Sequence, residues 1–220
     1  WSHELSLAQA RDSLDTPVFF NAFETRRGQL DWLLQRRLGS GRISAGLNAL
    51  RESGGSLDTF SGSPQYQTSR RHRALFLAWT GESGPWLQEL ALRRDHSSVY
   101  GGETSAQAGL GYRFDGGRGY FSWGQGFRAP NFNELFSPGF GGLFAGNPGL
   151  RPERSHALEL GLDAEWRGND LGARMYRNRV RDLVAFQGGD SFQAVNVARA
   201  EIDGAELSLA RNLGGWRLEG

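Results

Sequence analysis

Cysteine is absent from this sequence of 220 residues, which excludes both a disulfide framework and a thiolate metal site. Neither sign of charge is in excess, since 25 Lys and Arg oppose 24 Asp and Glu, and no nucleic-acid partner is predicted. Long apolar runs are also missing: the longest, residues 74–79, falls far short of the roughly 20 residues that a transmembrane helix needs. By contrast, 32 Gly, 14 Phe and 7 Trp favour a sheet-rich protein with many turns.

Apolar and polar residues alternate strictly over residues 157–166, ALELGLDAEW. A strand points successive side chains to opposite faces, so this segment has one apolar and one acidic face. A membrane-crossing strand needs only about 9–11 such residues, and the pattern predicts the wall of a membrane β-barrel. In the strands that contain Arg113 and Arg174, a register shift of one residue would turn the arginine toward lipid, at a free-energy cost of roughly 2–4 kcal/mol near the membrane midplane. In residues 74–79 both faces are apolar, and the register there stays open.

Turn-forming residues divide the chain into about ten strands and the start of another. Compact turns are predicted at residues 39–41, 81–85, 115–118, 168–170 and 212–215. Mostly longer connections are predicted at about residues 12–19, 54–66, 95–103 and 128–152, with a brief one at 188–190. Outer-membrane barrels have short periplasmic turns and longer extracellular loops, so the first strand should run outward. A soluble up-and-down barrel or meander remains the alternative.

The segment that follows Tyr120 carries a family resemblance. Residues 123–136, WGQGFRAPNFNELF, are followed by residues 146–155, GNPGLRPERS, and by the strand at Leu158. This order closely resembles the barrel of TonB-dependent receptors, whose wall carries the pattern GxxFRAPxxxEL…NPxLxPExS…E. Further stretches are similar to the cobalamin transporter type within that family: residues 23–27, 30–32, 176–184 and 195–206.

The resemblance spans essentially the whole chain and implies an all-β fold. We expect an antiparallel transmembrane β-barrel of about 22 strands with a plugged lumen, of which this chain supplies about 10–11. Residues 1–220 are expected to form one partial barrel domain, without plug, signal peptide or C-terminal strand, as a fragment of a longer reading frame. The implied location is the bacterial outer membrane. The implied partners are outer-membrane lipid, a cobalamin or iron-siderophore ligand, and the TonB complex acting through the missing plug.

The resemblance implies a transporter that imports cobalamin into the periplasm, rather than an enzyme. A ferric-siderophore receptor is the alternative within the family, and an outer-membrane hydrolase or structural barrel is the alternative outside it. Residues 124–129 match a dinucleotide fingerprint, but Pro130 prevents the helix that this motif needs. The four histidines are scattered, and the acidic and hydroxyl residues form no triad, so no metal, cofactor or catalytic residue is predicted.

The long connection, residues 128–152, is the candidate ligand-binding segment. A helix is predicted for one turn around residues 131–136, because Pro138 and the glycines that follow break it. The aromatic rings either pack down on the barrel mouth or contact a bulky ligand together with nearby polar groups. The predicted ligand-binding residues are Asn131, Phe132, Asn133, Glu134, Phe136, Phe140 and Phe144.

Overall fold

A computed structural model describes residues 1–139, 143–188, 192–213 and 216–220 of the chain. These residues form one sheet of 11 strands in sequential order, each antiparallel to the next. The strands are β1 (Ser2–Thr16), β2 (Asn21–Leu38), β3 (Gly41–Asp58), β4 (Ser63–Ser83), β5 (Trp86–Ser97), β6 (Gly101–Phe114), β7 (Gly117–Arg128), β8 (Glu153–Trp166), β9 (Asn169–Gln187), β10 (Gln193–Leu213) and β11 (Trp216–Glu219). A short 3₁₀ turn, Pro17–Phe19, follows β1, and one helix, α1 (Phe132–Phe136), follows β7. Among the described residues, no helix is long and apolar enough to cross a membrane.

Four of the predicted compact turns are confirmed as two-residue connections, at residues 39–40, 84–85, 115–116 and 167–168. Each contains a glycine with positive φ, a conformation that tight hairpin turns require and that a side chain disfavours. The fifth predicted turn lies partly outside the described residues. These turns all lie at one end of the sheet, because the strands alternate in direction.

At the opposite end, three predicted connections were too long. They occupy only residues 17–20, 59–62 and 98–100, because the strands continue further than their apolar segments. For example, Ser56 pairs with Tyr66 and Asp58 with Ser63, in a region predicted as loop. Polar residues, which suggest a loop in the sequence, still form a strand here because the hydrogen bonds of the ladder are made by the backbone and need no apolar face. Only residues 129–152 form a long connection at this end among the described residues.

The cross-strand register resolves the face that the sequence left open in β4. Leu47 pairs with Leu75 and Ala45 with Leu77, and directly opposed residues point to the same face. Leu75 and Leu77 are therefore on the exposed apolar side, which we call the outer face, while Phe76 lies over Gly46 on the inner face. The outer face also carries these exposed side chains: Leu30, Leu90, Leu92, Leu110, Phe121, Leu158, Leu160, Leu162, Met175, Leu207 and Leu209.

Candidate functional site

The connection between β7 and β8 begins with a helix of one turn, as predicted. The side chain of Asn131 accepts a hydrogen bond from the Glu134 N–H (2.8 Å), and the Glu134 carboxylate accepts one from the Asn131 N–H (2.8 Å). This reciprocal capping box satisfies backbone donors that a helix start leaves free. The Ser137 N–H donates to the Asn133 carbonyl (3.0 Å) as the helix ends. The start and end of α1 are therefore fixed by contacts among residues 131–137 themselves.

One arginine joins the two ends of this connection. Arg128, the last residue of β7, donates to both carboxylate oxygens of Glu134 (3.1 and 3.1 Å) and of Glu153 (2.8 and 2.6 Å). Glu153 opens β8 and also accepts the Val184 N–H (2.8 Å), which reaches β9. Charge-assisted, two-pronged pairs of this kind hold both position and orientation. The carboxylate of Glu134 is thus engaged within the protein.

From β7 the chain crosses the inner face and α1 docks on β3 and β4. The ring of Phe132 is only 8% exposed and lies over Gly54, where an added Cβ would overlap the ring. The guanidinium of Arg70 lies 4.8 Å from the centre of the same ring and donates to the Pro130 carbonyl (2.7 Å). The Tyr66 hydroxyl donates to the side-chain carbonyl of Asn133. A segment leaving β7 is therefore attached to strands three and four positions away in the sheet.

The other side of this connection is attached to β9 and β10. Leu135, 1% exposed, packs with Leu150 and Ala194, and Val184 lies against the same cluster. The Ala194 N–H donates to the Ala145 carbonyl (3.0 Å), and the Asn147 side chain donates to the Ala194 carbonyl (3.1 Å). Residues 129–139 and 143–152, which we call the crossing segment, therefore bridge two distant parts of the wall.

Beneath the crossing segment lies an ion-pair network on the inner face. The carboxylate of Glu52, whose side chain is 4% exposed, accepts from Arg27 (2.9 and 2.6 Å) and from Arg70 (2.6 Å). Three hydrogen bonds from two cations offset the cost of removing this carboxylate from water. The Tyr100 hydroxyl lies 3.0 Å from Nδ1 of His72, and burial raises the pKa of Tyr100 to about 12. Arg70 thus belongs both to this network and to the support of α1.

The predicted ligand-binding residues have different surroundings. Asn131 and Asn133 are exposed, Phe136 is half-buried beside Tyr66, and Phe132 and Glu134 are engaged with the wall as described. Phe144 is 53% exposed and packs edge-on against Phe186, with ring centres 5.7 Å apart, and against Phe192 at 5.6 Å. Phe140 lies outside the described residues. Ligand contact by this set stays a prediction.

Sequence reasoning missed Tyr66 and Arg70 as supports of the crossing segment. Arg70 is 60 residues from its hydrogen-bond partner Pro130, and Tyr66 is 67 residues from Asn133 and fell in a region predicted as loop. No local pattern in the sequence marks these long-range contacts. Within the described part of the chain, no three His, Asp or Glu side chains are grouped so that they could hold a metal ion.

The sheet has an exposed apolar outer face, an ion-paired inner face and tight turns at one end, with a long segment folded across the other. This is the construction of a membrane β-barrel wall of the outer-membrane class. Residues 5–220 match the family described as TonB dependent receptor-like, beta-barrel, and the chain belongs to this family. TonB-dependent receptors are bacterial outer-membrane proteins and transporters rather than enzymes. The predicted fold class and location are confirmed.

The chain is also similar to individual proteins of known name. The vitamin B12 transporter BtuB of Photobacterium profundum is 28% identical over 194 residues, which is 84% of this chain and 30% of that protein. The siderophore receptor PirA of Pseudomonas aeruginosa superposes with a TM-score of 0.72 at 20% identity, over 90% of this chain and 41% of that one. The copper transporter OprC superposes with a TM-score of 0.70 at 20% identity, over 90% of this chain and 36% of that one. The chain thus spans less than half of each relative, and these two structural likenesses show the fold alone.

Proposed function

We propose that this chain forms part of the wall of a TonB-dependent transporter that imports cobalamin across the outer membrane. The observation that carries the proposal is the 28% identity to a vitamin B12 transporter over 84% of the chain. The stretches at residues 176–184 and 195–206, similar to the same type, support it. Because the chain spans less than a third of that relative, the remaining strands, the plug and its contact with the TonB complex are proposed for the rest of the protein.

The crossing segment is the proposed ligand-facing element. It is held at both ends and from below, and the side chains of Asn133 and Phe144 remain accessible. A bulky, partly apolar ligand suits a surface of aromatic rings with a few hydrogen-bonding groups at fixed positions. In this proposal Phe144, Asn133 and the half-buried Phe136 contact the ligand. Asn131, Phe132 and Glu134 hold the segment in position.

A ferric-siderophore receptor is the second candidate. It is kept because the pattern carried by residues 123–136 and 146–155 is shared by receptors for different ligands. Both candidates share the wall and the crossing segment, and they differ in the ligand that the accessible rings would meet.

The test uses the full-length receptor in a strain from which its gene is deleted. We expect uptake of labelled cobalamin to be lost on deletion and restored by the gene. Phe144→Ala should weaken cobalamin binding about tenfold, the effect of removing one central aromatic contact. Phe121→Ala, which removes an exposed ring of the outer face, is the matched control and should leave binding unchanged. Cobalamin uptake that survives deletion, with siderophore uptake lost, would replace the first candidate by the second.

A further inference from the structure

A cluster of positive charge lies on the outer face of β3, β4 and β5. Arg51 is directly opposite Arg71, and Arg73 is directly opposite His96. Arg94 is opposite Leu75, the outer-face neighbour of Arg73 along β4. All five side chains are exposed. We call Arg51, Arg71, Arg73, Arg94 and His96 the basic patch.

The basic patch has no acidic partner within the described part of the chain. Arg51, Arg71 and Arg73 make no side-chain hydrogen bond or ion pair there, and Arg94 donates only to the Thr104 hydroxyl (2.7 Å). Like charges directly opposite one another on a sheet are destabilising. The arrangement therefore carries an internal cost that a bound anion would relieve.

Three other arginines on the same face are paired with acidic residues, whereas Arg181 and Arg199 face each other between β9 and β10. Arg177 pairs with Asp203 (2.6 Å) and Arg179 with Glu201 (3.0 Å) between β9 and β10. Arg11 pairs with Glu24 (2.7 Å) between β1 and β2. The sheet thus can pair arginines of this face internally, and on β3, β4 and β5 it leaves three of them without an acidic partner among the described residues.

The position of the patch relative to the membrane follows from the strands. Arg51, Arg73 and Arg94 each lie two residues beyond an apolar outer-face residue, after Ala49, Leu75 and Leu92 in the direction away from the compact turns. Two residues correspond to about 7 Å along a strand. Since compact turns are periplasmic in outer-membrane barrels, the patch lies at the extracellular edge of the apolar band, at the level of lipid headgroups.

A groove connects the patch with the apolar band. Gly28 is directly opposite Arg51, and no described atom lies within 4 Å of the point that a Cβ on Gly28 would occupy. The resulting groove has a volume of about 670 Å³ and is lined by Leu7 and Leu30 as well as by Arg51, Arg71 and Arg73. It is therefore apolar toward the membrane centre and cationic toward the outside.

We propose that this groove and the basic patch bind a phosphorylated lipid of the outer leaflet. Guanidinium groups match phosphate with paired hydrogen bonds, and the phosphates would supply the missing negative charge. The acyl chains would lie along Leu7 and Leu30. The site is on the opposite face from the crossing segment, so it is independent of the transported ligand.

The test uses the full-length receptor reconstituted in phosphatidylcholine nanodiscs that contain a bisphosphorylated glycolipid, with its dephosphorylated form as the comparison. We expect selective retention of the phosphorylated form, measured by mass spectrometry of the bound lipid, and a loss of about tenfold in the Arg51→Gln, Arg73→Gln variant. The matched control is Arg177→Gln with Arg179→Gln, which removes the same charge from the same face and should change retention little.

A second variant tests the groove without changing charge. Gly28→Phe fills open space and should reduce retention of the glycolipid at least threefold. Equal losses in the patch and control variants, equal retention of the dephosphorylated form, or full displacement by inorganic phosphate would each overturn the proposal. Ligand uptake by the patch variant should stay normal, so failure of the lipid site is distinguishable from failure of the transport function.

Discussion

Replacing Gly54 by alanine tests whether the crossing segment is held by its contact with β3. A Cβ at this position overlaps the ring of Phe132, so the ring must move off the wall, while the backbone of β3 stays paired on both sides. Movement of Phe132 also disturbs the hydrogen bond from Arg70 to Pro130 and the bond from Tyr66 to Asn133. The substitution therefore acts on the segment rather than on the strand.

The expected magnitude follows from the burial of Phe132. Overpacking costs typically about 1–3 kcal/mol, and full burial of a Phe side chain stabilises by about 1.5–3 kcal/mol. We take about 2 kcal/mol as the loss, which corresponds to a roughly 30-fold rise in the open fraction of the segment.

A thiol at position 135 reports this open fraction. Leu135 is 1% exposed, so Leu135→Cys should react with a maleimide only when the segment leaves the wall. The chain contains no other cysteine, which makes the signal specific within it. In the full-length receptor we expect Gly54→Ala to speed labelling by 10- to 50-fold, the range that about 1.4–2.4 kcal/mol gives.

The matched control is Gly124→Ala on the inner face of β7. An added Cβ there meets only the Ala106 carbonyl at 3.9 Å, an ordinary contact, and labelling should change by less than about threefold. An unchanged labelling rate in Gly54→Ala, or equal acceleration in the control, would refute the docking of α1 on β3.

The remaining predictions concern the segment ends, the outer face and the inner wall. Arg128→Met leaves two partly buried carboxylates without their cation, and should increase proteolysis within residues 129–152 in intact cells, whereas Arg118→Met, at an exposed pair, should not. Leu160→Arg should lower the free energy of unfolding in bilayers by about 2–4 kcal/mol, measured by denaturant titration against Leu160→Met. Burial raises the pKa of Tyr100 to about 12 and so favours its neutral hydroxyl. The contribution of this neutral hydroxyl to the stability of the fold should be complete below pH about 10 and be lost as the pH rises through about 12. Ultraviolet difference absorbance of the wild type minus Tyr100→Phe should show that midpoint, and a midpoint near 10 would contradict its burial.

The sequence predicted the centres of the strands better than their ends. Within the membrane, alternation is enforced because one face meets lipid, and the register of β8 follows directly from Leu158 and Leu160. Beyond the membrane that constraint disappears, and polar stretches such as residues 54–58 continue the ladder although they look like loop. In β4 both faces are apolar because Phe76 fills the space over Gly46 on the inner face. Only the pairing register with β3 shows which face of β4 is the outer one.

The candidate site was predicted only in part, because the sequence shows local contacts and does not show long-range ones. The one-turn helix depends on Asn131, Glu134 and Pro138, which are neighbours in sequence, and it was predicted correctly. Its docking depends on Tyr66 and Arg70, whose hydrogen-bond partners are 60 or more residues away, and it was missed.

The most direct test of the account uses two adjacent spin labels in β4 of the full-length receptor, at Leu77 and at Ala78. If the outer face meets hydrocarbon and the inner face meets water, the label at 77 should be relaxed by oxygen and the label at 78 by a water-soluble nickel chelate. Preferential relaxation of both labels by the chelate, or the reverse assignment, would contradict the membrane wall described above.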